Sequence, residues 1–551
     1  MTDGSEGYMT EMEYIYTYHF HLNPLHMQLA LVSAGYAPPT VATACELGFG
    51  QGISLNLHAA ASSVAWCGTD FHPDHAAFAQ GIAVDSGSKA CVFNQSFAEF
   101  CSRPDLPDFD FIVLHGIWTW ISDANRAVIV DFIQRKLKPG GVLSISYNTL
   151  HGWSAMLPAR DLLTEHAQRI NSHGLDIASR IDGALEFADR LMAANPHIAK
   201  SSPQIVKRLG ELKLEDRRYV AGEYFSRNWQ PMSFSEVTGW LAPINLSFAC
   251  SATYFDQLDA VLLTSSQQEL LQTIPDPHFR ETVRDFCLEL PFRKDYWVKE
   301  GQRLKPQEHV EALHAQRVVL VQPAANVRFR AATADADSSM IAAEGGPLLD
   351  ALADHKPHTL RDLAQQVQRH GISFDRLLQF VLLMAEDGYL QSAQEDRAIS
   401  HARGKGAATL LNMILMRKAK MGQGVSYLAS PMTGGGVPVE RYHQLFLLAR
   451  SEGLESPDQW AQMTLRWLAA EGECVVPTVL SGLVAKARAM GRKDPQAWAQ
   501  ATLAFLQENS RLPGKPVSHR ETSEGELVEL TEQARLFANS HLSMLISLGV
   551  V

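Results

Sequence analysis

A glycine-rich turn that starts at an acidic residue is the first part of the sequence whose residue types could support chemistry. It reads Glu46-Leu-Gly48-Phe-Gly50-Gln-Gly52. Glycines at such positions permit positive φ angles and let the backbone approach a ligand closely. The spacing is GxGxG, and Ile53 stands where the dinucleotide fingerprint requires its third glycine. The turn also lacks the phosphate-loop pattern GxxxxGK(S/T), so the sequence disfavours NAD as its ligand.

A carboxylate and several polar side chains follow the next two apolar runs. Asp70 ends the second run, where a carboxylate can accept hydrogen bonds from both ribose hydroxyls of an adenosine. Asn94, Ser96 and Phe97 follow the third run, where an adenine would stack and form hydrogen bonds. Together these features predict a site for S-adenosylmethionine (SAM); the alternative is a glycine turn in a non-binding sheet, with Glu46 only holding the loop. The predicted cofactor contacts are Glu46, Gly48, Phe49, Gly50, Gly52, Asp70, Phe71, Ser96, Phe97, His115 and Gly116.

The same edge of the predicted sheet is rich in aromatic residues, which suits methyl transfer. A lysine amine must be neutral to attack a methyl group, and burial among apolar groups lowers its pKa. Aromatic faces also stabilise a sulfonium and a methylammonium. An oxygen nucleophile would instead need a base, for which His115 is the candidate. The predicted catalytic residues are His115, Trp118, Tyr147, Asn148 and Tyr18, and further aromatic residues at this edge are Tyr14, Tyr16, Phe49, Trp120 and Trp153.

Structural roles remain open for several of these residues. Trp118 and Trp120 alternate as in a strand, so one of them can pack in the core instead. A backbone-contact or structural role is the alternative for His115, and capping of a loop is the alternative for Asn148. For Glu223 the default is a place on a helix surface, with contact to substrate as the alternative.

Two further histidines offer ligand types for a metal, but we predict no metal site. His72 and His75 lie close to Asp70 in the sequence. Asp70 is already assigned to the ribose, and the loop after a second strand is usually solvated. A metal at this position is therefore disfavoured.

The elements that must position these residues alternate between apolar runs and helical patterns. This alternation predicts a parallel, doubly wound α/β sheet. Right-handed crossovers then bring the loops that follow the strands to one edge. The five predicted strands lie in 41–50, 62–71, 90–97, 109–118 and 140–148.

The remaining chain changes character after residue 150. Segment 233–264 predicts the last helix and an antiparallel strand pair of the same sheet, whereas 291–301 is typical of a loop. Residues 331–340 are small and polar, as in a linker. The predicted domains are a SAM-binding core (1–150), a helical insertion acting as lid or dimerisation element (151–214), the end of the core (215–264), a regulatory or connecting segment (265–330), a winged-helix-like module (341–395) and a helical C-terminal domain (396–551).

Composition narrows the function classes. The 551 residues include 46% hydrophobic and 20% charged residues, which is typical of a globular protein. The formal net charge of −12 makes nucleic acid an unlikely partner. Seven cysteines without a CxxC motif disfavour a disulfide framework or structural zinc and favour a reducing cytosol. We also expect no signal peptide and no membrane span.

Several segments resemble class I methyltransferases that carry a methyltransferase regulatory domain, above all the bacterial outer-membrane-protein lysine methyltransferases. The segments are ELGFGQG, GTDFHP, LHGIWTWIS, SYNTLHGW, RYVAGEYFSRNWQPMSF, PFRKDYWVKEG and LASPMTGGGV. The resemblance departs at Phe49-Gly50-Gln51, Trp118-Thr119-Trp120 and His151, which border the acceptor side.

This resemblance implies a seven-stranded Rossmann-like class I methyltransferase sheet, SAM as cofactor, and transfer of a methyl group to a protein lysine. A small-molecule O- or N-methyltransferase with a lid is the alternative, and a non-catalytic SAM-binding regulator is a further one. The expected partners are a protein substrate and a second copy in a homodimer.

Overall fold

A seven-stranded mixed sheet forms the centre of the computed structural model, which describes residues 16–170, 175–213, 215, 217–226, 228–329, 338–422, 424–473, 475 and 524–551. Its order is β3-β2-β1-β4-β5-β7-β6, with the first five strands of the chain parallel and β7 antiparallel to both neighbours. This confirms the predicted α/β fold with a seven-stranded sheet. The strands are β1 Thr43–Leu47, β2 Ala65–Asp70, β3 Cys91–Asn94, β4 Phe109–Leu114, β5 Leu137–Asn148, β6 Leu246–Ser251 and β7 Phe292–Lys299.

Helices cover both faces of this sheet, so its central strands are nearly continuous apolar runs. Strand β4, FDFIVL, is buried at five of its six positions. Such burial on both faces is typical of parallel strands flanked by helices. The flanking helices are Pro24–Ser33, Ile53–Ala61, Pro73–Ser86, Phe97–Cys101, Asp123–Lys136 and Phe234–Leu241.

The last two strands correct the prediction for this part of the chain. The segment 233–264 contains one strand, β6, followed by the short helices Tyr254–Gln257 and Asp259–Leu262. Its pairing partner is β7, which lies in the segment predicted as a loop. Charged residues gave that segment the look of a surface loop, but Arg293 is buried and forms ion pairs with Asp285 and Asp295.

The insertion after β5 is helical and has a hydrophobic core of its own. Tyr224, Phe225 and Trp229 belong to this core, so it extends past residue 214. The helices are Leu150–Trp153, Leu157–Arg169, Ile177–Ala193, His197–Ser201, Pro203–Leu212 and Arg217–Phe225.

Two longer helices lie between β6 and β7, and a small antiparallel sheet with four further described α-helices follows the main sheet. Its order is β10-β8-β9, with β8 Arg317–Leu320, β9 His358–Thr359 and β10 Leu390–Ser392. Strand β8 comes from the predicted connecting segment. The winged-helix assignment stays a prediction. The helices of this region are Ser265–Gln272, Pro277–Leu288, Pro306–Ala315, Ser338–Leu352, Leu360–Gln368 and Phe374–Glu386.

The described residues of the C-terminal part form helices and one hairpin, β11 Tyr427–Ser430 and β12 Gly435–Pro438. The hairpin packs close to the start of the chain: a Cβ on Gly436 would come within 3.0 Å of the Tyr18 ring. The described part of the chain contains no helix with the length and apolar character needed to cross a bilayer. The helices here are Asp396–Lys405, Ala407–Lys420, Arg441–Ser451, Pro457–Ala470, Glu524–Ser540 and Leu542–Ser547.

Candidate functional site

A cavity opens where β1, β2 and β4 end, at the edge of the sheet where the loops meet. Ten of the eleven predicted cofactor contacts line it, and the exception is Gly52. The ten are Glu46, Gly48, Phe49, Gly50, Asp70, Phe71, Ser96, Phe97, His115 and Gly116. The sequence therefore located the residues of this cavity, and contact between them and a cofactor stays a prediction.

The glycine turn takes the left-handed backbone that its sequence permits. The φ angles of Gly48, Gly50 and Gly52 are +72°, +56° and +67°. Gly52 is needed for packing, because a Cβ there would lie 2.6 Å from the Cβ of Ala79. At Gly50 a Cβ would meet nothing within 4 Å, so only its φ angle favours glycine.

Asp70 joins the glycine turn to the loop after β2. Its Oδ2 accepts a hydrogen bond from the Gly50 amide at 2.9 Å, and its Oδ1 accepts one from the His72 amide at 2.9 Å. His75 Nδ1 lies 3.6 Å from the same carboxylate. These contacts hold the carboxylate at the cavity, and binding of a ribose there stays a prediction.

The polar residues after β3 stabilise the backbone as well as the cavity wall. Asn94 donates hydrogen bonds to the carbonyl oxygens of Asp70 and Phe71, both at 3.1 Å. Ser96 caps the helix Phe97–Cys101 in a reciprocal arrangement with Glu99. The adenine contact predicted for this loop would therefore rely on residues whose side chains already hold the loop.

Glu46 has an unusual environment for a carboxylate. It is 4% exposed, and its Oε2 is buried without a hydrogen-bond partner among the described residues. Burial, with a smaller contribution from the charge of Asp70, raises the pKa of Glu46 to about 8. A cationic hydrogen-bond donor placed against this oxygen would satisfy it and favour its charged form.

Three histidines cluster at the cavity wall: His19 and His115 line the cavity, and His21 lies buried behind them against His115. His115 Nδ1 lies 2.9 Å from Ser146 Oγ and 3.0 Å from His21 Nε2. Burial, helped by the ammonium of Lys294, lowers the pKa of His19 to about 4 and that of His115 well below its ordinary value. All three imidazoles are therefore neutral at pH 7.

These histidines also offer a set of nitrogen ligands, since their ligating atoms lie within 4.8 Å of one another. Two of the nitrogens, on His21 and His115, already bond to each other. The ammonium of Lys294 is near enough to act on all three histidines, and it would repel a metal cation. The nitrogen donors alone therefore do not establish a metal site.

Four of the five predicted catalytic residues do not line the cavity, namely Trp118, Tyr147, Tyr18 and Asn148. Trp118 is fully buried, with its ring centroid 6.0 Å from that of Trp240. Tyr147 is buried and donates a hydrogen bond to Asp295 at 2.8 Å. The hydroxyl of Tyr18 lies 3.1 Å from His58 Nε2.

The local backbone conformation explains why Trp118 is buried in the core. The residues Trp118–Trp120 form a 3-10 turn instead of continuing the strand, so the first tryptophan enters the core and Trp120 lines the cavity. Asn148 is 2% exposed and donates a hydrogen bond to the carboxylate of Glu223, which does line the cavity. His115 is thus the one predicted catalytic residue on the cavity wall, and Tyr14 lies outside the described residues.

Several lining residues were not assigned to the site from the sequence. Most are short polar or aliphatic residues without a pattern of their own, whereas the histidines after the tyrosine-rich opening were a usable signal. Phe292 was hidden by the loop prediction for its segment. The unassigned residues are Thr17, His19, Gln51, Ile53, Ser54, His75, Gln95, Ile117, Ile121, Asn125 and Phe292, whereas Glu223 was assigned to a helix surface with substrate contact as the alternative.

Comparisons with known proteins agree with this architecture. The family described as "Predicted methyltransferase regulatory domain" matches residues 216–299. The structure of PKMT2 from Rickettsia typhi in complex with AdoHcy superposes with a TM-score of 0.60 at 15% identity, covering 83% of this chain and 91% of that one. Protein RP789 of Rickettsia prowazekii is 30% identical over 155 residues, 26% of this chain and 27% of its own.

The sheet has the fold of class I methyltransferases, and it is joined to a segment that matches the methyltransferase regulatory domain. Uncharacterized protein sll1526 of Synechocystis is 35% identical over 477 residues, which are 86% of this chain and 92% of that protein. The chain belongs to the same family as sll1526.

Proposed function

We propose that this protein transfers the methyl group of SAM to the side-chain amine of a lysine in a protein substrate. The observation that carries the proposal is the cavity itself, whose wall brings Glu46, Asp70 and the glycine turn together with neutral histidines, Trp120 and Phe292. PKMT2, a protein lysine methyltransferase, shares the fold across most of both chains.

The residues at one end of the cavity suit the two polar ends of SAM. Glu46, with its unpartnered buried oxygen, would bind the cofactor's ammonium group, and Asp70 would bind the ribose. The glycine turn leaves room for a close approach of the ligand. Bound SAM would supply a methyl group on a sulfonium. The leaving group is then a neutral thioether, which needs no acid.

The other end of the cavity favours an uncharged amine. Ile121 and Phe292 provide apolar surface, and burial against such surface lowers the pKa of an amine. Trp120 offers an aromatic face for the cationic product. His115 is suited to binding a ligand and forming the cavity wall. Its strongly lowered pKa makes it a weak base for an oxygen nucleophile.

Labelled methyl transfer tests this function. We expect the purified protein and radiolabelled SAM to label proteins of a cell lysate, with methyllysine released on hydrolysis. Lysate proteins whose amines have been blocked beforehand should remain unlabelled. Label in small molecules only, or on oxygen, would contradict the proposal. We further propose a cytoplasmic site of action, supported by the free thiols of the six cysteines that the structure describes.

A further inference from the structure

The regulatory domain contributes a carboxylate to the reaction cavity. Three acidic side chains line the cavity, of which Glu46 and Asp70 belong to the cofactor end. The third, Glu223, belongs to the helix Arg217–Phe225, inside the segment 216–299 that matches the regulatory domain. Glu223 therefore has no role in the SAM site as described above.

Glu223 is held in place by neighbours that leave its charge available. The Asn148 amide donates a hydrogen bond to its carboxylate. Two arginines are near, but Arg160 bonds to the carbonyl oxygen of Ser226 at 2.6 Å and Arg208 to the hydroxyl of Tyr224 at 2.9 Å. Among the described residues, no ion pair to Glu223 is found. The carboxylate is thus oriented at the cavity wall without a neutralising partner.

An aromatic wall lies beside the helix that carries Glu223. Trp120 lines the cavity, and its ring centroid is 6.0 Å from that of Trp229. Trp153 links this pair to Tyr224, the residue next to Glu223, with centroid distances of 4.8 Å and 5.4 Å. Of these rings Trp120 is the one that lines the cavity, since the Arg160 guanidinium lies 4.1 Å from the centroid of the Trp229 ring. A carboxylate and an indole on one cavity wall are a combination that recognises an alkylammonium group.

We propose that Glu223 binds the ammonium group of the acceptor lysine and takes its proton before methyl transfer. The inference rests on the proposed function and names the residue that selects a cationic acceptor. It also gives the regulatory domain a chemical part in the reaction, because that domain supplies the side chain. The aromatic wall around Trp120 then lies against the carbon chain and the methylated product.

The proton and electron pairs balance without a further reactant. The lysine ammonium gives one proton to the Glu223 carboxylate, which becomes a neutral carboxylic acid. The free lone pair of the amine attacks the methyl carbon, the new N–C bond forms, and the C–S bond breaks with its electron pair going to sulfur. Glu223 then releases its proton to water, and its carboxylate pairs with the methylammonium product.

The surroundings of Glu223 suit this exchange of a proton near neutral pH. Burial raises the pKa of its carboxyl to about 7, opposed by the Asn148 hydrogen bond and the charges of Arg160 and Arg208. The hydroxyls of Tyr219 and Tyr224, whose own pKa values are raised by burial, also face this carboxylate. As the pH falls through about 7, protonation of Glu223 removes the charge that binds the ammonium, so activity should fall.

The test compares the full-length wild-type protein with Glu223→Gln, using polylysine and labelled SAM as the probe. We expect a loss of methyl transfer of about 100-fold, the scale of general acid–base catalysis, with a SAM dissociation constant within about twofold of wild type. The acidic limb of the rate profile near pH 7 should disappear. The control is Glu269→Gln, an exposed residue in the same matched segment, which should leave every measurement unchanged.

A second variant separates chemistry from structure. Glu223→Ala should regain part of the lost rate when formate is added, because formate can occupy the vacated space and accept the proton. A purely structural role would give no such rescue. Equal rates for wild type and Glu223→Gln would overturn this inference alone, whereas no transfer to any lysine by the wild-type protein would overturn the proposed function as well.

Discussion

The two ends of the cavity are built in different ways. At the cofactor end, Glu46, Gly50 and Asp70 come from the ends of β1 and β2. The hydrogen bond from the Gly50 amide to Asp70 joins the two loops, and the one from the His72 amide fixes the carboxylate within its own loop. At the acceptor end, Trp120, Glu223 and Phe292 come from segments far apart in the chain, and helices inserted after β5 bring part of them together.

In the proposed function, this difference separates the binding of the methyl donor from the selection of the acceptor. The cofactor end relies on backbone geometry that a short sequence determines, so little else in the chain can alter it. The acceptor end relies on how a helical insertion packs against the sheet, so changes far from the cavity can reshape it. We therefore expect substitutions at the two ends to change different measurements.

The largest effect should come from Asp70→Ala, which breaks the cofactor end. It removes a carboxylate that accepts hydrogen bonds from the amides of Gly50 and His72 and that is predicted to bind the ribose. Hydrogen bonds to a charged group are worth about 1.5–3 kcal/mol, so the SAM dissociation constant should rise roughly 10- to 150-fold in calorimetry. Asp74→Ala, which removes an exposed carboxylate four residues later, is the control. Unchanged affinity would refute the assigned role of Asp70.

The glycine turn offers a matched pair of substitutions that sharpens the same end. Both Gly50 and Gly52 have positive φ angles, but a Cβ on Gly52 alone would collide, at 2.6 Å from the Cβ of Ala79. Gly50→Ala should cost about 1 kcal/mol of unfolding free energy, the scale of a left-handed non-glycine residue. Gly52→Ala should cost about 1–3 kcal/mol more, because overpacking is added. Equal losses in chemical denaturation would contradict the close packing.

These contrasts explain what the sequence could predict. The first five strands were visible because buried parallel strands are continuous apolar runs, and the glycine turn was visible because its geometry is local. Strand β7 was missed because Arg293, Lys294 and Asp295 look like surface charges, whereas the fold pairs Arg293 with buried carboxylates. Pairing of that kind depends on residues distant in the chain, which a single segment does not reveal.

The same reason limits what could be predicted about the acceptor end. Trp118 and Trp120 were equivalent in the sequence, and only the 3-10 turn after β4 decides which one reaches the cavity. For Glu223 the sequence favoured a helix surface over contact with substrate, whereas the packing of the insertion places it on the cavity wall. Of the aromatic residues predicted for this edge, Phe49 and Trp120 line the cavity, and the prediction of catalytic residues ranked Trp118 above Trp120.

Trp120→Ala should break the acceptor end while sparing the cofactor end. A cation–π contact is worth about 0.5–2 kcal/mol, so the KM for polylysine should rise roughly 2- to 30-fold. The SAM dissociation constant should stay within about twofold of wild type. Trp240→Ala, whose ring packs on Trp118 outside the cavity, should lower stability instead of raising KM. A weaker SAM affinity in Trp120→Ala would show that the two ends are not independent.

The smallest effect on function should come from Tyr18→Phe, a test of a residue that belongs to neither end. Its hydroxyl is buried, 3.1 Å from His58 Nε2, and its ring packs on Tyr427 of the hairpin with centroids 5.0 Å apart. Losing one buried hydrogen bond should lower the unfolding free energy by about 0.5–1.5 kcal/mol. Methyl transfer and SAM affinity should remain within about twofold of wild type, because the hydroxyl contacts His58 and does not line the cavity. A large fall in kcat with unchanged stability would instead restore Tyr18 to the catalytic group predicted from the sequence.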